Sequence, residues 1–269
     1  MTRIHPTAIV DPSAQIDPSA TVGPYAIVQA NAAIGAECVL HAHTFIDVNT
    51  SLGARCQVHP NAVLGGPPQD LKFEGAPTYV QIGDDCLIRE GVTIHRGTTP
   101  GSTTVVGRRC FLMANSHIAH NCRVGDDVKL ANGALLAGHV EVGDGAFLSG
   151  NTAIHQFCRI GKLAMLGGQL RVTRDIPPFV LLGPNGPTTI NVIGLRRAGV
   201  SAAERAELRE CYRLFYRAAL PPAEATERIA ALVQTAPGRE FLAFLRAPSK
   251  RGFAAYRGRS APVANESDE

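Results

Sequence analysis

The 269-residue chain is predicted to be mainly β, with a parallel β-helix of hexapeptide repeats followed by a small α-helical C-terminal domain. Two observations predict this fold: large aliphatic residues recur every six positions over the first two thirds, and helical spacing replaces that period after residue 200. Charged residues make up only 18% of the chain and hydrophobic residues 45%, which excludes an intrinsically disordered protein. Because no run of 18 apolar residues occurs, the sequence also predicts no membrane span.

The six-residue period is nearly unbroken. Ile, Val or Leu occupies 26 of the 29 positions reached by stepping six residues at a time from Ile4 to Val172. The exceptions, Asp70, Ala76 and Pro100, fall in two segments that we predict to be loops. A small residue usually lies two positions before each aliphatic, on the same face of a strand. Each hexapeptide is therefore predicted to be a short strand with one large and one small inward side chain, and three strands to close an 18-residue coil.

Two further residue types follow the same period. Gly often comes directly after the aliphatic, where we expect it to supply unusual backbone angles at the corner. Six of the seven cysteines occupy the small inward position, so we expect buried apolar side chains, with disulfides or metal binding as the weaker alternative. These six are Cys38, Cys56, Cys86, Cys110, Cys122 and Cys158, and Cys211 is expected in a helix core. Without a recognisable secretory signal, reduced thiols and a cytoplasmic location are expected.

Domain boundaries follow from where the period stops. Ser201 and Glu204 have the spacing of a helix capping box, and two more helices are predicted at about 223–235 and 239–246. The predicted division is a β-helix over 1–175 with loop insertions near 66–81 and 96–104, a connecting segment over 176–200, an α-helical domain over 201–259 and a polar tail over 260–269.

Charge separates along the same boundary. Residues 1–170 carry a balance of −2, residues 171–259 a balance of +8, and the tail a balance of −3. Fourteen of the fifteen cations in the middle segment are Arg. This concentration favours an acidic partner. Nucleic acid is not predicted, because no nucleic-acid-binding module is visible and few aromatic residues are interleaved with the cations.

The nine histidines divide into groups. His5, His41, His59 and His95 each follow a repeat aliphatic and share one phase of the 18-residue coil, so we interpret them as a structural column at one corner. His43 belongs to neither group.

The remaining histidines predict a functional site. Division by 18 leaves remainders of 12, 13 and 11 for His120, His139 and His155, which places them at nearly one corner on successive coils. His117 faces outward beside them. Outward imidazoles that converge can supply a general base or zinc ligands. Gly138, just before His139, is a candidate backbone donor to a developing oxyanion.

Seven local strings form a specific set along the chain. They are SHIAHNCR (116–123), ALLAGHV (134–140), AIHQFC (153–158), IHRGT (94–98), PQDLK (68–72), IPPF (176–179) and INVIGLRRAG (190–199). Together they resemble the UDP-N-acetylglucosamine O-acyltransferases that begin lipid A synthesis. The resemblance implies left-handed winding and a homotrimer with active sites between neighbouring prisms. It also implies transfer of an R-3-hydroxyacyl group from acyl carrier protein to the 3-hydroxyl of UDP-N-acetylglucosamine, with no cofactor beyond the carrier's phosphopantetheine and no metal.

The same resemblance assigns roles to single residues. His120 matches the family's general base, and the backbone N–H of Gly138 matches its oxyanion donor. Gly168 falls where the family sets acyl-chain length, and a Gly there resembles members that accept long chains. The matched binding or supporting positions are Gln69, Asp70 and Lys72 in the first loop, His117, His139, His155 and Gln156 along the prism, and Asn191 and Arg197 on the nucleotide side.

The chain departs from the family pattern at three places. Asn121 follows the matched base where Asp is common, Ile193 stands where an acidic residue is expected, and the segment 182–190 is short. Three alternatives stay open from the sequence. One is a related enzyme that forms an amide on a UDP-amino sugar, and another is a zinc enzyme like the γ-type carbonic anhydrases. The third, a covalent mechanism through Cys122, is disfavoured by the inward position of that residue.

Overall fold

The computed structural model describes residues 3–255 and shows a triangular prism with three β-sheets as its faces, followed by a hairpin and helices. The strands of the prism pair in parallel. Sheet A contains β1 Arg3–Ile4, β4 Thr21–Val22, β7 Val39–Leu40, β10 Gln57–Val58, β13 Leu87–Ile88, β16 Phe111–Leu112, β19 Lys129–Leu130, β22 Phe147–Leu148, β25 Met165–Leu166, β27 Val180–Gly183 and β28 Gly186–Ile190.

The other two faces follow the same order along the prism. Sheet B contains β2 Ile9–Val10, β5 Ile27–Val28, β8 Phe45–Ile46, β11 Val63–Gly66, β14 Thr93–His95, β17 His117–Ile118, β20 Leu135–Leu136, β23 Ala153–Ile154 and β26 Arg171–Val172. Sheet C contains β3 Gln15–Ile16, β6 Ala33–Ile34, β9 Thr50–Leu52, β12 Tyr79–Ile82, β15 Thr103–Val106, β18 Arg123–Val124, β21 Glu141–Val142 and β24 Arg159–Ile160. We name the three edges of the prism the A/B, B/C and C/A corners, after the sheets that the chain joins there.

The repeat aliphatics form the core, as the period predicts. From Val22 to Val172 each inward Ile, Val or Leu of the strands is at most 4% exposed. All seven cysteines are free thiols and buried, which confirms their interpretation as small core residues. The Cys38 thiol, for example, donates to the carbonyl of Gly53 at 3.0 Å. Burial of each aliphatic side chain stabilises the fold by about 1.5–3 kcal/mol, so these stacked columns are the main source of stability.

Glycine occurs directly after the repeat aliphatics for a different structural reason from the one expected. Positive φ recurs every six residues at the third position after the aliphatic, as at Tyr25 (59°) and Asn31 (57°), whereas the Gly directly after the aliphatic has it only at Gly65 (89°), where the first insertion begins. A Cβ on Gly35 would instead lie 2.5 Å from the carbonyl oxygen of Gly53. Our expectation of unusual backbone angles at these glycines was therefore wrong except at Gly65. They allow successive coils to approach closely.

Both insertions leave the prism at the B/C corner. The first loop, 67–78, connects β11 to β12, and the second, 96–102, connects β14 to β15. The first adds twelve residues to its coil, because Gln57 pairs with Leu87, 30 positions later, where the period gives 18. The second adds six, because Thr93 pairs with His117. Residues between the two insertions are therefore displaced in phase by twelve positions. Because the two insertions together add 18 residues, one full coil, the original phase returns beyond the second.

The C-terminal part is helical, as predicted, but begins earlier. The helices are α1 Val192–Arg197, α2 Ala202–Tyr216, α3 Pro222–Leu232 and α4 Ala236–Arg246. The Ser201–Glu204 capping box is present at the start of α2. The predicted connecting segment contains the β27–β28 hairpin and α1, which the sequence analysis missed. The predicted tail and residues 256–259 lie outside the described residues. Within residues 3–255, no helix combines the length and apolar character needed to cross a bilayer.

A buried ion pair joins the end of the chain to the prism. Asp175 is 0% exposed, and its carboxylate accepts from the Nε of Arg159 at 2.7 Å and from the Arg159 backbone N–H at 2.9 Å. The Asp175 backbone N–H donates to the carbonyl of Gly252, and its carbonyl accepts from Ala254. One buried residue therefore holds the segment after α4 against the last coil.

We expect Asp175→Asn to lower the free energy of unfolding by about 3 kcal/mol, because it leaves the Arg159 guanidinium largely buried without its counter-charge. Urea titration followed by circular dichroism at fixed protein concentration measures the loss. The matched control is Asp127→Asn, which breaks the exposed Arg109–Asp127 pair and costs less than about 1 kcal/mol. Equal small losses in both variants would contradict the assigned role of Asp175.

Candidate active site

The predicted histidine site lies on the B/C corner, between the two loops and the C-terminal end of the prism. His120 follows β17 as the chain turns from sheet B to sheet C. The register that pairs His117 with Leu135 places Gly138 next to His120 on the following coil, about 4.8 Å along the prism. Both insertions leave from this same corner, so loop residues can reach His120.

The ring of His120 packs directly on Gly138. A Cβ at residue 138 would lie 2.3 Å from the Cε1 and 2.6 Å from the Nε2 of His120. Any other residue at 138 would displace the imidazole, which gives a physical reason for Gly at this position. The same contact brings the His120 ring against the main chain of the next coil.

Asn121 fixes the tautomer of His120. The Asn121 Oδ1 accepts from the backbone N–H of Thr98 at 3.1 Å and from the Thr98 hydroxyl at 2.9 Å. A backbone N–H can only donate, so the atom it faces must be the amide oxygen. That same oxygen lies 3.0 Å from the Nδ1 of His120. The Nδ1 therefore carries a proton, so in the neutral ring it is the Nε2 that has the lone pair.

The backbone around Asn121 suits this arrangement. Its φ is 59°, in the left-handed region that Asn adopts more readily than most residues. Its N–H donates to the hydroxyl of Thr104 at 2.8 Å. Thr98 lies in the second loop and Thr104 in β15, so the second insertion positions the amide that orients His120.

The N–H of Gly138 is available to a ligand. It donates to no other residue in the described part of the chain, whereas the Gly138 carbonyl accepts from the N–H of Phe157 at 3.1 Å. Gly138 is itself buried. An imidazole lone pair beside a free backbone donor can take a proton from a nucleophile while the donor stabilises negative charge on a carbonyl oxygen.

Further predicted imidazoles surround His120. The His139 ring centroid lies 5.3 Å from that of His120, edge to face, and 4.8 Å from that of Phe157 in a stack. Burial and the neighbouring His120 lower the pKa of His139, while the Asp70 carboxylate acts to raise it. The Nδ1 of His117 lies 2.7 Å from the Thr93 hydroxyl, and burial and then His120 lower the pKa of His117. These rings are therefore held in the neutral form.

His95 belongs to this group and not to the structural column. His5, His41 and His59 do follow sheet A strands, but the twelve-residue insertion moves His95 to sheet B, opposite Gly66. Its ring centroid lies 4.8 Å from that of His117. The prediction for His95 was wrong because it counted coils of 18 residues across the first loop. The motif IHRGT, which contains His95, was the signal that could have corrected it.

The first loop faces the same corner. The effect of the Asp70 carboxylate on the pKa of His139 indicates that it lies near the imidazoles. Its Oδ1 accepts from the backbone N–H of Lys72 at 3.0 Å. The side chains of Gln69 and Lys72 are exposed. The Arg96 guanidinium lies 5.5 Å from the ring centre of Phe73 and donates to the Gly65 carbonyl, which fastens the loop to the prism.

Two more predicted residues lie at the B/C corner, on the coil after Gly138. His155 follows β23 and its Nδ1 lies 3.2 Å from the carbonyl of Gln156. Gln156 is exposed and follows Gly138 on the next coil. The structure therefore brings nine sequence-predicted site residues to one corner, together with Asn121. The nine are Gln69, Asp70, Lys72, His117, His120, Gly138, His139, His155 and Gln156.

Three predicted residues lie away from the B/C corner of the prism. Gly168 follows β25 at the A/B corner. Asn191 is buried near the C/A corner, where its Nδ2 donates to the Leu163 carbonyl and its Oδ1 caps α1. Arg197 is exposed in the last turn of α1, and Ile193 is 65% exposed on the same helix. The roles assigned to Gly168, Asn191 and Arg197 remain predictions.

The buried imidazoles predict an acid-sensitive fold. Burial lowers the pKa of His95 to about 4, below the ordinary value of about 6.5 expected in the unfolded chain. The unfolded state therefore takes up the proton first, and stability present above pH 6.5 is lost as pH falls towards 4. The lowered pKa of His117 acts in the same direction. We expect His95→Gln to flatten the slope of unfolding free energy against pH between 6.5 and 4. An unchanged slope would contradict this account, and exposed His5→Gln is the control.

Known proteins resemble the chain in sequence over almost its full length. Residues 103–138 match the model of the bacterial transferase hexapeptide (six repeats), and residues 175–254 match domain 2 of UDP N-acetylglucosamine O-acyltransferase. The acyl-[acyl-carrier-protein]–UDP-N-acetylglucosamine O-acyltransferase of Alkalilimnicola ehrlichii is 44% identical over 255 residues, which cover 94% of this chain and 99% of that protein. The same enzyme of Syntrophobacter fumaroxidans is 41% identical over 254 residues, covering 93% and 98%.

Solved structures agree with this similarity. LpxA from Acinetobacter baumannii superposes with a TM-score of 0.89 at 38% identity, covering 93% of this chain and 98% of that one. The UDP-N-acetylglucosamine O-acyltransferase of Moraxella catarrhalis does so with the same TM-score at 42% identity and the same coverage. The left-handed β-helix with a C-terminal helical domain is thereby confirmed. This chain belongs to the family of UDP-N-acetylglucosamine O-acyltransferases.

Proposed function

We propose that the protein transfers an R-3-hydroxyacyl group from acyl carrier protein to the 3-hydroxyl of UDP-N-acetylglucosamine, the first step of lipid A biosynthesis. The observation that carries this proposal is the packing of the His120 ring, whose Nδ1 donates to Asn121 and whose Nε2 is left for a substrate, on Gly138, whose N–H donates to no other described residue. Together they match the two demands of acyl transfer, which are a base for the attacking hydroxyl and a donor for the oxyanion. Membership of the family supports the choice of both substrates.

The proposed reaction needs no covalent enzyme intermediate. The sugar hydroxyl gives its proton to the Nε2 of His120 as its oxygen attacks the thioester carbonyl, and the Gly138 N–H stabilises the resulting oxyanion. Collapse breaks the carbon–sulfur bond, and the phosphopantetheine thiolate takes the proton back from the imidazolium. Cys122 takes no part, because its side chain is 0% exposed and burial raises the pKa of its thiol to about 12.

Substrate contacts are proposed for the other residues of the corner. Asp70 and Lys72, with Gln69 beside them, position the sugar from the first loop. The imidazoles of His117, His139 and His155 and the amide of Gln156 bind or support the substrates. The lowered pKa values of His117 and His139 keep these two rings neutral, which suits hydrogen bonding to a sugar and to a thioester arm.

A homotrimer would bring the remaining predicted residues to the site. In one chain, Gly168, Asn191 and Arg197 lie away from the B/C corner, so they can act on a substrate at His120 only if another subunit supplies them. Outward apolar side chains on sheet A support such packing, because apolar patches on a surface mark sites of interaction. Leu87 lies beside Phe111 and Phe147 beside Met165, all half-buried in the single chain, with Lys129 between the two pairs. We propose that neighbouring prisms cover these side chains.

The distribution of charge along the chain suggests the protein partner, and the free cysteines suggest the cellular compartment. The arginine-rich segment 171–259 suits an acidic carrier protein as donor. All seven cysteines are free, which fits a cytoplasm that keeps thiols reduced. We therefore propose a cytoplasmic enzyme that uses the phosphopantetheine of the carrier and no other cofactor.

We expect His120→Ala to lower kcat by a hundredfold or more, in the range for loss of a general base, while the protein stays folded. Mass spectrometry would follow UDP-N-acetylglucosamine and R-3-hydroxyacyl carrier proteins of several chain lengths, with and without a zinc chelator. The control is His41→Ala, which removes an imidazole from the A/B corner. Near-normal turnover by folded His120→Ala would remove His120 from the mechanism.

The same assay separates the proposal from its alternatives. A chelator-insensitive ester product supports the proposed reaction and identifies the preferred chain length. An amide product with a UDP-amino sugar, and none with UDP-N-acetylglucosamine, would transfer the assignment to the related N-acylating reaction. Loss of activity with the chelator, together with bound zinc, would favour a metal enzyme.

We expect Asn121→Asp to keep the hydrogen bond to His120 but to move the acid limb of the pH–rate profile to higher pH. A carboxylate 3.0 Å from the Nδ1 stabilises the protonated ring, and the displacement should be about one pH unit or more. The matched control is Asn115→Asp, another left-handed corner residue, which lies at the A/B corner. An unmoved acid limb in Asn121→Asp would contradict the contact between residue 121 and the base.

A further inference from the structure

Arg96 lies where the two insertions meet. It begins the second loop, and its backbone N–H donates to the carbonyl of Gly66, directly before the first loop, at 3.0 Å. Near the other end of the first loop, the Pro77 carbonyl accepts from the N–H of Gly101 at 2.9 Å. The second loop therefore holds the first loop close to both of its ends.

The side chain of Arg96 adds three contacts to this backbone link. Its Nη1 donates to the Gly65 carbonyl at 2.8 Å and lies 3.3 Å from the Oδ2 of Asp47. The guanidinium lies 5.5 Å from the ring centre of Phe73, within the range of a cation–π interaction. Because the Arg96 and Asp47 side chains are only 15% and 17% exposed, solvent screens their attraction incompletely. Arg96 thus connects the prism to a ring in the middle of the first loop.

Phe73 closes the turn that carries two predicted sugar contacts, Asp70 and Lys72. The Phe73 N–H donates to the Asp70 carbonyl at 3.0 Å, and the Lys72 N–H donates to the Asp70 Oδ1 at 3.0 Å. Within residues 3–255, no hydrogen bond or ion pair joins residues 70–73 to the prism. The placement of the turn therefore depends on the packing of the half-buried Phe73 against Arg96.

The loop that Arg96 begins also orients the base. Thr98 follows two residues later, and its N–H and hydroxyl both donate to the Oδ1 of Asn121, which faces His120. Arg96 therefore lies between two parts of the site. Its side chain fixes the turn predicted to hold the sugar, and its backbone continues into the segment that orients the imidazole.

We propose that Arg96 is a positioning residue for the acceptor, a role that rests on the proposed function. It holds the turn 70–73 at the distance from His120 at which a bound sugar presents its hydroxyl to the Nε2. The sugar contacts and the base belong to separate segments of the chain, so a device of this kind is needed to align them. A misplacement of about 1 Å between reacting groups can cost about a hundredfold in rate.

Arginine suits this position better than lysine. A planar guanidinium can lie against an aromatic ring while its edge donates to a carbonyl and a carboxylate. A lysine ammonium would keep the charge beside Asp47, but a single compact group cannot make all three contacts at once. Arg96→Lys should therefore retain part of the effect, and Arg96→Gln should lose it.

Steady-state kinetics with UDP-N-acetylglucosamine and R-3-hydroxyacyl carrier protein test the proposal. The variants are Arg96→Gln, Arg96→Lys, Phe73→Leu and the double variant Arg96→Gln/Phe73→Leu, with thermal unfolding to verify the fold. The matched control is Arg55→Gln, which breaks the exposed Arg55–Asp85 ion pair at the C/A corner. Hydrogen exchange of the segment 67–78, measured by mass spectrometry, gives a readout that does not need turnover.

Arg96→Gln should lower kcat/KM for UDP-N-acetylglucosamine about tenfold, as expected for loss of charged contacts, and leave the KM for the acyl carrier protein unchanged. Phe73→Leu should change the same quantity in the same direction by a smaller factor. The double variant should be no worse than Arg96→Gln, because both substitutions remove one shared contact. Arg96→Lys should be intermediate, and Arg55→Gln should match the wild type. The segment 67–78 should exchange faster in Arg96→Gln.

Three results would overturn the proposal. Wild-type kinetics in folded Arg96→Gln would show that the turn does not need this residue. An equal rise of KM for both substrates would make the effect a general one on the fold, and multiplied losses in the double variant would separate Arg96 from Phe73. Failure of the proposed function is distinguishable, because the wild type would then yield no ester product, while faster exchange of 67–78 in Arg96→Gln would still show that Arg96 holds the loop.

Discussion

The stacking of each 18-residue coil on the next is the constraint on which the rest of this structure depends. Inward Ile, Val and Leu columns and the small residues between them are almost fully buried, so no coil can slip relative to its neighbour without exposing apolar side chains. Residues that are 18 positions apart are therefore held one strand spacing apart. His120, Gly138 and Gln156 form a line for this reason, although nothing in their own side chains requires it.

The two insertions make this regular scaffold into a site. Without the second loop, no backbone N–H would face the Oδ1 of Asn121, and the tautomer of His120 would not be fixed. Asn121 stands at the position where Asp is common in the family, and its amide takes over the orienting role of that carboxylate. A neutral acceptor orients the imidazole as a carboxylate would, but it does not add a negative charge beside it. The difference lies in the electrostatics of the base and not in its geometry.

Charge is distributed unevenly around the base. Burial and mutual proximity keep His95, His117 and His139 neutral, so the immediate surroundings of His120 carry little charge. The Asp70 carboxylate approaches from the first loop, and the Lys250 ammonium approaches from the chain end. The buried Asp175–Arg159 pair contributes to this distribution of charge, because it holds the chain end that carries Lys250.

The amino-acid sequence was enough to predict the repeat, the burial of the cysteines, the start of α2 and the convergence of His117, His120, His139 and Gly138. These features depend on local periodicity, which a count of residues captures. Three-dimensional contacts were needed to establish the place of His95, the reason for the corner glycines, the contact of Thr98 with Asn121 and the return of Lys250 to the prism. Each of these depends on how many residues an insertion adds to a coil, or on a contact between segments far apart in the chain. A period cannot encode either, because it records spacing only while the repeat continues.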